Sequence, residues 1–220
     1  MLWVAGDSGT VPDWTKNNLP QDFSMRILII GATGTIGKAI VTSLQGKHEV
    51  LQASRQGSHF SVDLTDPASI QALIEQVGVL NAIVSAAGET RLKPLAGLTD
   101  QDFEFCIGSK LMGQVNLIRY GLQALTDNGC ITVTSGVLSQ KPIPGGSAVS
   151  LTNAGLEGFV RAAALEAPRG IRINVVSPPW VNETLLSLGM PLGNGLPAAT
   201  VAQAYVHSLE GTMTGEVLYP

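Results

Sequence analysis

A short apolar run, Arg26–Ile30 (RILII), leads directly into GATGTIG at positions 31–37. The run suits a strand buried on both faces. Gly31, Gly34 and Gly37 then recur at every third position before a helical pattern begins. The first allows a tight turn, the second lets a phosphate approach the backbone, and the third lets helix and strand pack closely. A helix starting here offers free N–H groups and the positive end of its dipole. Strand, glycine loop and helix in this order predict a nucleotide-binding βα unit. A tight turn that binds nothing is the plainer alternative. No GKS or GKT follows, so a dinucleotide is expected rather than the ligand of an ATPase-type loop.

The pattern continues along the chain. Further strands are expected at 48–53, 60–62, 82–84, 130–134, 171–176 and 216–219. Helices are expected at 38–44, 67–77, from Thr99 or Asp100 to about Leu125, at 150–167 and at 198–209. Asp66 is a good N-cap and Pro67 a good first helical residue. The segment 136–146, broken by Pro142 and Pro144, reads as a loop, and 180–197 as a flexible cover. Short strands alternating with longer helices predict an α/β fold. The expected form is a Rossmann-type doubly wound parallel sheet of about seven strands with helices on both faces. Right-handed crossovers place the strand C-termini on one edge, where ligands bind.

Residues 1–24 show no sustained period and are rich in Gly, Pro, Asp and Asn. They read as a poorly ordered tail, which Trp3 and Trp14 are able to pin, ahead of one domain at 25–220. The net charge of −4 and the lack of an Arg/Lys stripe argue against nucleic acid or anionic lipid as partners. No apolar run is long enough to predict a membrane-spanning helix. Cys106 and Cys130 stand alone, in no metal-ligand spacing. A reduced, cytoplasmic chain without a metal site is expected.

The end of the second strand should meet the adenosine ribose. A ribose diol usually attracts an acid there, but Ser54 and Arg55 occupy the place. A hydroxyl and a guanidinium suit a 2′-phosphate, so NADP is expected, with NAD as the alternative. Asp63, ending the third strand, is placed to accept a bond from the adenine amino group or to cap the turn at Leu64 and Thr65.

In order along the chain stand GATGTIG, VDLTD at 62–66, SAAG at 85–88, ITVTSG at 131–136, NAGLEGFVRAAALE at 153–166, GIRINVVSP at 170–178 and TGEVLY at 214–219. Together they resemble the short-chain dehydrogenase/reductase family over roughly residues 26–220. The resemblance implies a cofactor path through Gly31, Thr33, Gly34, Thr35, Ile36, Gly37, Ser54, Arg55, Asp63 and Leu64. It continues through Ala86, Ala87, Gly88, Asn153, Pro178, Val181 and Thr184. It also implies a homo-dimer or homo-tetramer built through the long helix and the one at 150–167.

Catalysis in that family, as the resemblance implies it, uses a tyrosine, a lysine four residues later, a serine and an asparagine. Carried over by position, the lysine falls at Asn153, the tyrosine at Val149, the serine at Gly136 and the asparagine at Lys110. All four are altered, while the motifs around them are intact. Valine has no proton to give, so the family's usual carbonyl reduction is not expected, and the chain resembles an atypical subgroup. Three residues are candidates to replace what is lost. Lys110 offers an ammonium whose pKa a dry pocket would lower. Ser135 offers a hydroxyl beside Gly136. Asn153 can bond a ribose hydroxyl, though otherwise it caps or starts its helix. Two functions remain open. One is an atypical NADP-dependent oxidoreductase of a small, apolar substrate. The other is an inactive relative that senses NADP(H) or holds a partner protein.

Overall fold

A computed structural model of the chain describes residues 24–193 and 195–220. The tail expected at 1–24, with Trp3 and Trp14, lies outside the described residues except for Ser24.

Seven strands form one sheet: β1 (Arg26–Ile30), β2 (Glu49–Ser54), β3 (Phe60–Ser61), β4 (Leu80–Ser85), β5 (Leu125–Thr134), β6 (Arg172–Val176) and β7 (Val217–Leu218). Their order is β3-β2-β1-β4-β5-β6-β7, and each neighbouring pair is parallel. The chain steps outward from β1 to β3, then returns to lay β4 on the other side of β1. That reversal opens a crevice at the C-terminal ends of β1 and β4.

The helices are α1 (Thr35–Leu44), α2 (Pro67–Val77), α3 (Asp100–Cys106), α4 (Gly113–Gly121), α5 (Ser147–Glu166), α6 (Asn182–Ser187) and α7 (Ala198–Glu210). Alternation along β1 divides them between two faces. Leu28 and Ile30 enter one core with Ile70, Leu117 and Leu156 of α2, α4 and α5. Ile27 and Ile29 enter the other with Ile40 of α1 and Val201 of α7. Both faces of β1 are covered, which explains its unbroken apolar run.

Local signals act as expected at several ends. The Asp66 side chain accepts from the Ala68 N–H and Pro67 opens α2. Thr99 and Asp102 form a reciprocal capping box on α3. Three boundaries differ from expectation. The helix expected to reach Leu125 widens into a π-helical stretch at Ile107–Met112 and ends at Gly121. Leu125 instead opens β5, opposite Leu80 of β4; the apolar spacing at 122–125 fits either state, and sheet pairing decides. The helix expected from 150 begins at Ser147, directly after Gly145 with φ +82° and Gly146. The expected cover at 180–197 contains α6.

Candidate active site

The glycine loop turns where Gly31 takes φ +80°, a left-handed conformation that disfavours a side chain. A Cβ there would also lie 2.7 Å from the Ala86 carbonyl oxygen. At Gly37 a Cβ would lie 2.0 Å from the Gly31 carbonyl oxygen, so only glycine lets α1 seat against the loop. The first bond of α1 runs from the Lys38 N–H to the Gly34 carbonyl. The N–H groups of Thr35, Ile36 and Gly37 therefore have no helical acceptor, as befits a helix N-terminus that receives an anion.

Two cavities lie end to end at the sheet's C-terminal edge and share Ala86, Ala87 and Gly88. The first, about 310 Å³, reaches from Gly31, Thr33 and Gly34 to Ser54, Arg55, Asp63 and Leu64. The second, about 460 Å³, contains Ile36, Lys110, Ser135, Asn153, Pro178, Val181 and Thr184 in its walls. Thr35 faces a separate surface depression, and Gly37 is buried beneath the loop.

At the first cavity, Ser54 donates to the Gln56 carbonyl at 2.5 Å and lies 2.8 Å from the Ser58 hydroxyl. Its only proton is engaged, which leaves Arg55 as the available donor. Arg55 reaches Glu89 at 2.5 Å, but both side chains are at least half exposed, so that pair is weak. Asp63 Oδ1 accepts from both the N–H and the hydroxyl of Thr65. These bonds, chiefly the backbone one, hold its carboxyl below the usual range. Glu89 and its neighbour Ser109, whose hydroxyl accepts from the Glu89 N–H, are wall residues that the sequence did not single out. They meet the glycine loop only across the switch point, so no local signal marks them.

Lys110 sits in the π-helical stretch and is 9% exposed. Its stem runs against Gly88, where a Cβ would come within 2.9 Å of Lys110 Cδ. Burial alone pushes its pKa down to about 8. Among the described residues no hydrogen bond or charge partner acts on it. Gln114, wholly buried, holds this stretch to the sheet. Its amide donates to the carbonyls of Lys110 and Thr134 and accepts from the Thr134 N–H.

Asn153 lies in the second turn of α5, neither capping nor starting the helix. Its amide donates to the Gly136 carbonyl at 3.1 Å. Its Oδ1 is buried without a partner. One turn back, Val149 presents an apolar side chain to the same cavity. One turn on, Glu157 is 3% exposed and collects three hydroxyls. Ser135 donates to it at 2.8 Å, Ser139 at 2.7 Å and Ser177 at 3.1 Å. The Ser135 proton is thus committed to Glu157. Glu157 was missed in the sequence, although its spacing four residues after Asn153 places it on the same helix face.

No tyrosine lines either cavity. Tyr205 is wholly buried and lies 2.6 Å from the Thr134 hydroxyl, and burial raises its pKa. Tyr120 packs against the core. The described residues hold no His/Cys/Asp/Glu group suited to a metal ion, and no helix among them is long and apolar enough to cross a membrane.

A family model described as enoyl-(acyl carrier protein) reductase matches residues 36–214. A 3-oxoacyl-[acyl-carrier-protein] reductase of Bos taurus is 31% identical over 209 residues, covering 88% of this chain and 84% of that protein. The crystal structure of the protein lin1944 from Listeria innocua is similar with a TM-score of 0.86 and 41% identity, covering 89% of this chain and 99% of that one. A small-chain dehydrogenase crystallised in complex with NADPH is 25% identical, with a TM-score of 0.78, covering 88% and 95%. With its parallel sheet, its glycine loop and a family match over most of its length, the chain belongs to the short-chain dehydrogenase/reductase family.

Proposed function

We propose that this chain is an NADP(H)-dependent oxidoreductase of a small carbonyl compound or alcohol, with Lys110 in place of the family's usual proton donor. One observation carries the reading: a buried lysine with no charge partner among the described residues shares a cavity wall with Asn153 and Val149. The paired cavities fit a dinucleotide. The free N–H groups of Thr35, Ile36 and Gly37 would hold its pyrophosphate. Arg55 would meet a 2′-phosphate, and Asn153, in the wall of the second cavity, would lie beside the ribose. The NADPH complex of a similar small-chain dehydrogenase supports this choice.

When bound, that cofactor supplies hydride chemistry. The protein supplies orientation and a proton. The Lys110 ammonium donates to an oxygen that gains negative charge and stabilises it. A pKa of about 8 leaves both protonation states accessible near neutral pH. Glu157 holds Ser135, Ser139 and Ser177, and so the loop above the cavity, in place. A homo-oligomer built through α4 and α5 is part of the same reading, and light scattering tests it.

Calorimetric titration with NADPH and NADH tests the cofactor assignment. NADPH should bind about tenfold tighter or more, and Arg55→Ala should erase the difference. Binding of neither nucleotide would overturn the reading. A carbonyl panel then tests activity, with Lys110→Ala expected to abolish turnover while NADPH still binds. NADPH binding with no turnover on any carbonyl would favour an NADP(H)-sensing module instead. Val149, in the wall where the family's tyrosine is expected, is the observation behind that second reading.

A further inference from the structure

We propose that the cavity over Lys110 takes a small 2-oxo carboxylate with an apolar side chain, whose carboxylate pairs with the Lys110 ammonium. This rests on the reading of that cavity as the substrate site, and it adds the charge and chemical class of the substrate.

The walls are mostly apolar. Leu92, Leu138, Val149, Trp180 and Leu188 enclose most of the space away from the glycine loop. Lys110 is the only charged residue among the lining residues. An ammonium with little water around it and no counter-charge is unfavourable, and no ion pair among the described residues relieves it. The acids that stand nearby in the fold are engaged elsewhere. Glu89 lines the first cavity and not this one, and Asp102 pairs with Arg91 and Lys93. Glu157 accepts from its three serines. The Lys110 stem lies against Gly88. A built cationic site with no internal anion is therefore presented to whatever enters.

A neutral ketone would offer Lys110 one hydrogen bond. A carboxylate offers a charge-assisted one and restores neutrality in a dry site. An ammonium has three N–H donors in a compact head. In a 2-oxo acid the carboxylate and the adjacent carbonyl oxygen lie side by side, so one ammonium can serve both. The same lysine then anchors the substrate and faces the oxygen that is to be protonated. The apolar remainder of such a molecule fits against Leu92, Leu138, Trp180 and Leu188. The volume, about 460 Å³, must also admit the reactive end of the dinucleotide, which limits the substrate to a small one.

The test uses 4-methyl-2-oxopentanoate and its neutral counterpart 4-methyl-2-pentanone, titrated calorimetrically into the full chain saturated with NADP+. The oxidised cofactor prevents turnover of either. The carboxylate should bind about tenfold tighter or more than the ketone. Lys110→Met should erase that preference, and Lys47→Met, at an exposed position, should leave it intact. Equal binding of the two probes, or a preference that survives in Lys110→Met, overturns the proposal. So does a preference seen only without NADP+, because Lys110 would then serve the cofactor. If Lys110→Met does not fold, reductive methylation of the unaltered protein, mapped by mass spectrometry, gives the answer. The carboxylate should shield Lys110 and the ketone should not; no difference overturns the proposal. Failure of NADPH to bind on its own overturns the cofactor reading instead, and the two probes can then be compared in cofactor-free protein.

Discussion

Lys110 is the residue whose setting departs most from ordinary solvation. Burial holds its folded-state pKa at about 8, below the value of 10.5 for an exposed lysine. Between those values the unfolded chain binds the extra proton and the folded one does not. Stability should therefore rise with pH through that window, and the penalty should be fully present below it. Removing the charge with Lys110→Met should stabilise the protein at pH 7 by about 1–3 kcal/mol, and the gain should shrink as the pH approaches 10.5. Urea unfolding at both pH values checks the sign. Glu157 makes the opposite prediction. Its loss in Glu157→Ala leaves the buried Ser135 and Ser177 hydroxyls without their acceptor, while Ser139 keeps the Gly136 carbonyl. A destabilisation of about 2–4 kcal/mol is expected, with Glu157→Gln costing less because an acceptor remains. Equal losses in the two variants would show that the three hydroxyls do not depend on this acceptor.

The element that sets the site is the helix α3–α4 with its π-helical centre, Ile107–Met112. A π-helical turn carries an extra residue and is found at functional sites. Here it turns Ser109 and Lys110 inward, where both are buried. Gln114 takes up the Lys110 carbonyl and both backbone groups of Thr134, so the stretch is tied to the end of β5. Gln114→Leu fills similar space but leaves the Thr134 N–H without its side-chain acceptor and takes one donor from each of two carbonyls. The expected loss is about 2–4 kcal/mol, read from chemical denaturation. Reductive methylation of Lys110 should also quicken, since its stem would no longer be held. Unchanged labelling would mean that Gly88 alone positions the lysine. At the other end of α3, the capping box makes Thr99→Ala cost about 1 kcal/mol.

At the scale of the whole molecule, the ligand trough lies where the sheet order reverses between β1 and β4. A dinucleotide there would touch loops following β1, β2, β4, β5 and β6, which come from both halves of the sheet. Binding should then stabilise the fold as a unit. NADPH at about 100 times its Kd should add about 2.7 kcal/mol, seen as a higher melting temperature. Gly37→Ala should lose that gain, because its methyl would meet the Gly31 carbonyl and displace the loop.

The sequence alone determined the fold class. Alternating apolar periods, caps such as Asp66 and the glycine loop are local signals, and each was legible without knowing its neighbours in space. Most residues of the cofactor path expected from the sequence line the two cavities. Only tertiary structure decided what each polar group has left to offer. Ser54 looked free, but its proton goes to Gln56. Ser135 looked like a substitute hydroxyl, but it bonds Glu157, which lies 22 residues away on another element. Tertiary packing likewise decided where the long helix widens and ends, because the Gln114 bonds and the Leu80–Leu125 pairing cross between elements. A hydrogen-bond donor is used once. Which groups are left without a partner, as Asn153 Oδ1 is, depends on every neighbour that the fold brings near.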